Sequence, residues 1–462
     1  MLVCTHCDIA TPPICWNLGW TLIRSNRYLG MLIWPPRWFT FTLPGSRKRT
    51  DLVLLTGSTK AYKASTHKVA DIINQQWSQI QSDTHFNSYQ IRILDAIRKC
   101  RTPALGGYLY QCSHCGQVHK RYNSCRNRHC PTCQNTQKEK CLPAEASAQA
   151  GILARQASLI NTRYYHTVFT IPAELNQFCL AYPRQMYSIL FQCAWQTLDS
   201  FAWNPKYLGA QIGATMVLHT CPVRRTRLWQ AEGQNLSLHP HVHCIVPGGG
   251  LTAKNKWKNA RGNGKFLFPV KAMSIVFRGK FLAQFKANME LQGLDIPSEF
   301  IAKLYHFKWV VFTKSSFAGP KGVIEYLARY SHKAAISNYR IKDVSSEKII
   351  FQYKDYKHGG SLKSMALHPQ EFVRRFSLHL LPRGFTKIRH YGLLSSKYKA
   401  IVFPQANNSS AINLNWEVFW QQKGLDVNRC PNCKRPTLKL IGEIPKRGPP
   451  QLINPMHPLF II

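Results

Sequence analysis

Apolar residues recur along this chain with two different periods, and the places where the period changes mark its elements. Helical patterning begins near Lys68, and between Ser88 and Lys99 the residues Ile91, Leu94 and Ile97 fall close to one helix face. Arg163 to Ile171 (RYYHTVFTI) is instead aromatic and β-branched, which predicts a strand ended by Pro172. Tyr187, Leu190, Phe191, Ala194, Trp195 and Leu198 return to helical spacing. Strands are expected at Ile212 to His219 and at Pro240 to Val246, the second closed by Pro247 and three glycines. Met273, Phe277, Phe281, Phe285 and Met289 form an i+4 row on a helix. Phe307 to Thr313 reads as a strand, and Pro320 suits the first position of a helix running to about Lys333. The order β-α-β-β-α-β-α predicts an α+β fold, a ferredoxin-like split βαβ arrangement with an antiparallel sheet and one extra helix.

Residues 1–62 lack this patterning; they mix Cys, Trp and Pro without sustained period and are assigned no function. Charge narrows the partners. Lys and Arg total 61 against 21 Asp and Glu, a formal charge of +40. Such an excess fits a polyanion, because Lys and Arg that neutralise phosphates release condensed counterions. A membrane is the rival, but no apolar run approaches the roughly 18 residues of a spanning helix, and no export signal is evident at the amino terminus. A cytoplasmic protein, nucleoid-associated when bound to DNA, is expected.

The 16 cysteines concentrate in CxxC pairs, which favours metal binding over a disulfide framework. Cys112-Ser113-His114-Cys115 and Cys130-Pro131-Thr132-Cys133 are knuckles 14 residues apart, so Cys112, Cys115, Cys130 and Cys133 are expected to enclose one structural zinc in a small zinc-ribbon-like domain. Cys100, Cys125, His129 and Cys141 lie nearby as substitute ligands or part of a second site. Lys120, Arg121, Arg126 and Arg128 with Tyr122 make a basic, aromatic-interleaved surface suited to phosphate contacts. Cys430-Pro431-Asn432-Cys433 is a lone knuckle without an evident partner.

His239-Pro240-His241-Val242-His243 places three imidazoles at alternate positions, which a strand aims at one face. A single buried histidine is usually structural, but imidazoles sharing a face can hold a divalent metal, and with oxygen ligands and water completing the site Mg or Mn is expected. Tyr326 and Tyr330, four apart in EYLARYSHK, share one helix face. Such pairs are more often packing than chemistry. A phenol with a pKa near about 10 is also a poor nucleophile unless a metal or cation stabilises its phenolate, which the histidine strand could supply.

Several blocks in order carry a family resemblance: Cys100-Arg101-Thr102 with Leu105-Gly106-Gly107, YNSCRNRHCPTCQ from Tyr122, HTVFTIP from His166, HPHVHCIVPGGG from His239, YLARYSHKAAISN from Tyr326, and EFVRRFSLHLLPRGFTKIRHYG from Glu371. From about Lys63 to beyond Leu394 the chain resembles the insertion-sequence-91-type transposases, two-tyrosine members of the HUH endonuclease superfamily. The resemblance implies that His241 and His243 bind the metal and that Tyr326 and Tyr330 are the nucleophiles. It leaves the third ligand among His239, His166 and Gln234. It also implies an amino-terminal zinc-binding domain over the cysteine block. Relatives run almost directly from His219-Thr220 into Gly233-Gln234, whereas Cys221 to Glu232 intervenes here.

The expected organisation is an extension at 1–62, a zinc-binding DNA-recognition domain at 63–150, an HUH catalytic domain at 160–395 and a basic tail at 396–462. The expected activity is cleavage and rejoining of single-stranded DNA at mobile-element ends through 5′-phosphotyrosine links. The rival readings are a replication initiator or relaxase with the same chemistry, a zinc-containing DNA-binding protein without catalysis, and a histidine-metal hydrolase acting through water.

Overall fold

The computed structural model describes residues 66–135, 160, 162–221, 235–260, 267–317, 322–323, 334–355, 361–398, 428–448 and 450–452. The chain divides into two units, Met1–Lys63 and Ala64–Ile462, and every described residue belongs to the second.

Three short helices come first: α1 (Val69–Gln75), α2 (Trp77–Ser82) and α3 (Ser88–Arg98). Asn87 starts α3 by accepting from the N–H groups of Tyr89 and Gln90, while the Gln90 side chain accepts from the Asn87 N–H. This reciprocal cap satisfies donors that the first helical turn otherwise leaves open. Strands β1 (Gly107–Cys112) and β2 (Val118–Tyr122) then form a hairpin.

The central domain follows. It comprises β3 (Tyr164–Thr170), α4 (Asn176–Ala181), α5 (Pro183–Trp203), β4 (Gly213–His219), β5 (His241–Pro247), β6 (Gly249–Leu251), β7 (Trp257–Asn259), α6 (Val270–Glu290), α7 (Ser298–His306) and β8 (Val310–Phe317). The chain continues through β9 (Ile341–Val344), β10 (Ile349–Asp355), β11 (Ser361–Leu367), α8 (Pro369–Ser377), β12 (Ile388–Gly392), β13 (Leu438–Ile444) and β14 (Gln451–Leu452).

Five strands form one sheet in the order β12-β4-β5-β3-β8. Because β5 is antiparallel to both β3 and β4, those two run parallel and α5 crosses over β5 to join them. By the same logic β3 separates the parallel pair β5 and β8, which α6 and α7 connect. Two interlocked split βαβ units are the ferredoxin-like topology, and β12 extends it antiparallel to β4. This is the fold expected from the sequence, with the β12 edge as an addition.

The sheet is asymmetric. Alternate residues Ala214, Met216 and Leu218 of β4 and Val242, Cys244 and Val246 of β5 enter one core with Leu190, Phe191 and Ala194 of α5 and Phe277, Phe281 and Phe285 of α6. The predicted i+4 row of α6 is buried along its length. Helix α7 was not expected; it shifts the start of β8 to Val310, with Trp309 buried and its Nε1 donating to Leu304 O at 2.9 Å.

The expected boundaries at 63–150 and 396–462 do not describe how the cores are built. Helices α1 and α3 share a second core with Phe351 of β10 and with Phe372 and Phe376 of α8, and Cys130 and Cys133 are part of it. Strand β13, within the segment read as a tail, pairs with β1 in a separate sheet of order β14-β13-β1-β2. Contacts distant in sequence, invisible to a linear composition reading, decide both. The helix expected from Pro320 to Lys333 lies outside the described residues apart from 322–323.

Candidate metal centre

The face of the sheet opposite α5 and α6 carries the histidines. In the β4/β5 ladder His219 lies directly opposite His241, and Val217 opposite His243. A period of two therefore puts His241 and His243 on the same side as His219, away from the Val242 and Cys244 core. All three are buried, at 4%, 1% and 1% relative exposure for His219, His241 and His243. One ring nitrogen from each falls within 4.8 Å of the other two.

Neighbouring groups orient the rings. His241 Nδ1 lies 2.7 Å from the His239 carbonyl, so its N–H donates there and Nε2 keeps a lone pair. His243 Nδ1 lies 2.6 Å from His166 Nε2, and the two rings lie edge to edge, 2° from parallel with centroids 4.9 Å apart. In the tautomer where His243 donates to His166, the second Nε2 lone pair also faces inward. The Nε2 atoms of His241 and His243 are 3.1 Å apart. Two nitrogens bound to one ion at about 2.1 Å, at angles between octahedral and tetrahedral, stand about 3.0–3.4 Å apart. The residues fit a divalent ion.

The third imidazole is His219, which none of the sequence candidates included. His166 touches His243 rather than completing the triad, and His239 contributes its carbonyl to His241; Gln234 lies outside the described residues. Tyr326 and Tyr330 also lie outside the described residues. So does most of the stretch from Cys221 to Glu232, of which Cys221 alone is described.

A cleft adjoins His219. Arg128 and His129, from the cysteine-rich segment, wall it together with Thr220, His379 and Lys387. Arg128 donates to the carbonyls of Phe385 and Pro382 at 2.5 and 2.9 Å, which fastens that segment to the chain just before β12. Burial, aided by the charges of Arg128 and Lys387, pushes the His129 imidazole down to about 3, so it is neutral at ordinary pH.

The expected zinc shell is divided. Cys130 and Cys133 join Cys100 and Cys125, whereas Cys112 and Cys115 join Cys430 and Cys433. In the first set, Cys133 Sγ lies 3.6 Å from both Cys100 Sγ and Cys125 Sγ. Contacts among the four thiols lower the pKa of Cys133 and raise those of Cys125 and Cys130. Spacing alone misassigned the partners because Pro131 opens a helical turn packed in the α3 core, while Cys112 ends β1 in another sheet. His129 belongs to neither set, and Cys141 lies outside the described residues.

Residues 72–171 match a family described as "Transposase zinc-binding domain", and residues 213–400 match one described as "Putative transposase". A curated relative from Sinorhizobium fredii (strain NBRC 101917 / NGR234), "Putative transposase y4qJ", is 35% identical over 390 residues, spanning 79% of this chain and 92% of the relative. The chain belongs to the insertion-sequence-91-type transposases. The transposase thus pairs a zinc-binding segment with a histidine-bearing sheet, and DNA at mobile-element ends is what such a protein acts on. No solved structure matches it. Among the described residues no helix is long and apolar enough to cross a membrane.

Proposed function

We propose that this transposase cuts and rejoins single-stranded DNA through 5′-phosphotyrosine links formed by Tyr326 and Tyr330. The observation that carries the proposal is the convergence of His219, His241 and His243 on the sheet face opposite α5 and α6. These three imidazoles would hold a divalent ion, Mg or Mn by expectation, which when bound polarises a phosphoryl oxygen.

The chain's own residues do the rest. A tyrosine hydroxyl loses its proton as its oxygen attacks the scissile phosphorus, and the P–O3′ bond breaks. The released 3′ oxygen takes up a proton, and the phosphodiester becomes a tyrosyl ester without a high-energy cofactor. Attack by a 3′-hydroxyl on that ester reverses the step and joins strands. With one tyrosine loaded, the other remains available for a second cut. His166, against His243 Nδ1, is a positioning residue that fixes the ring orientation.

Incubating the protein with single-stranded DNA carrying element ends, with and without Mn²⁺, tests this on a denaturing gel. A metal-dependent band of protein-linked DNA is expected. Binding without any adduct would instead favour a non-catalytic DNA-binding protein. His219→Ala should abolish that band, while His166→Ala should weaken metal affinity by roughly 10–100-fold, the range for groups that orient metal ligands. A band unaffected by His219→Ala would remove that residue from the site.

A further inference from the structure

The second cysteine set lies partly beyond both family matches, since residues 72–171 include Cys112 and Cys115 but neither that match nor the one over 213–400 reaches Cys430 or Cys433. We infer that Cys112, Cys115, Cys430 and Cys433 form a separate zinc site that fastens the carboxy-terminal segment to the β1/β2 hairpin.

The two knuckles are local copies of each other. Gly116 N–H donates to Cys112 O and Lys434 N–H to Cys430 O, both at 2.9 Å. Cys112 N–H donates to Gln117 O at 3.0 Å and Cys430 N–H to Arg435 O at 2.7 Å. The residue after each second cysteine is left-handed, Gly116 at φ +71° and Lys434 at φ +61°. A left-handed lysine is uncommon enough to need a cause, and the matching turn supplies one. The repeated turn aims four sulfurs at one point.

Their spacing fits an ion. Cys112 Sγ is 3.6 Å from Cys433 Sγ, and Cys115 Sγ is 3.7 Å from Cys430 Sγ. Four thiolates at about 2.3 Å around a tetrahedral zinc stand about 3.8 Å apart. Donors surround the sulfurs, including Cys115 N–H to Cys112 Sγ at 3.4 Å and Thr437 Oγ1 at 2.9 Å from the same atom. His119 Nε2 lies 3.3 Å from Cys430 Sγ. Such groups orient and tune metal-bound thiolates.

Among the described residues this sheet encloses only a small apolar cluster. Its buried apolar cluster consists of Cys112, Cys430 and Leu438, with Tyr110 and Cys433 half-buried against it. So small a core needs a metal or covalent staple. The hairpin is shaped for the distant strand as well: Gly106 is at φ +65°, and a Cβ there would meet Ile444 O of β13 at 2.5 Å.

Zinc content and thiol protection of the full chain test the inference without any DNA readout. Cys430→Ala/Cys433→Ala should carry one zinc equivalent less than the unaltered chain and keep the ion at Cys100, Cys125, Cys130 and Cys133. In the unaltered chain all four proposed ligands should resist alkylation together and react together once a chelator removes zinc, a result that does not depend on the variant folding. Unchanged zinc content in the double variant, or Cys430 and Cys433 alkylated in the zinc-loaded chain as fast as after chelation, would overturn it.

Discussion

Replacing His241 and His243 together by alanine is expected to lower strand cleavage by at least about 100–1,000-fold while single-strand affinity changes little. A metal that polarises a phosphoryl oxygen contributes several kcal/mol to the transition state, and each ~1.4 kcal/mol is tenfold in rate. Affinity comes mainly from the basic surface, which the formal charge of +40 reflects and which the substitution leaves in place. Both histidines are buried, so stability must be measured alongside. A variant that melts near the parent temperature, binds oligonucleotide in a salt-dependent way and forms no adduct is the expected result. Full Mn²⁺-dependent cleavage by that variant would place the chemistry elsewhere.

Loss of the other zinc shell should have a larger effect on folding. Cys125→Ser with Cys133→Ser breaks the set formed with Cys100 and Cys130, where Cys130 and Cys133 are buried in the core shared by α1, α3, β10 and α8. Structural zinc binding carries apparent free energies of about 10–16 kcal/mol, comparable to or larger than the roughly 5–15 kcal/mol stability of a domain. The variant is therefore expected to lose that zinc and the cooperative unfolding of this core. Because Arg128 and His129 wall the cleft beside His219, DNA cleavage should fall as well. Calorimetry and zinc content check this, and an unchanged melting transition would show that the shell does not support the core.

The sequence made some features legible and concealed others for physical reasons. His241 and His243 declare themselves because a strand's period of two is local, and the i+4 row from Met273 to Met289 declares α6 in the same way. His219 belongs to the triad only through the β4/β5 register, with His219 opposite His241, and no local pattern reports a cross-strand pairing. It already ended a predicted strand, so a search for histidines on neighbouring strands would have found it. The cysteine sets hide for the same reason. Cys112 meets Cys433 because β1 pairs with β13, more than 300 residues later, whereas the spacing rule selects the nearest knuckle. One signal was present: Cys430-Pro431-Asn432-Cys433 repeats the CxxC of Cys112 to Cys115, followed by the strand-like Leu438 to Ile444.

Mapping the covalent protein–DNA adduct to a residue is the most direct test of the proposed chemistry. Tyr326→Phe and Tyr330→Phe keep the aromatic ring and remove only the nucleophilic oxygen, so a loss reports chemistry rather than packing. Digestion of the adduct formed with single-stranded element ends should yield peptides carrying nucleotide on Tyr326 or Tyr330. Each single variant should retain an adduct on the other tyrosine but fail in complete strand transfer, and the double variant should form none. An adduct that persists in the double phenylalanine variant, or cleavage that proceeds in it through water, would contradict the two-tyrosine mechanism.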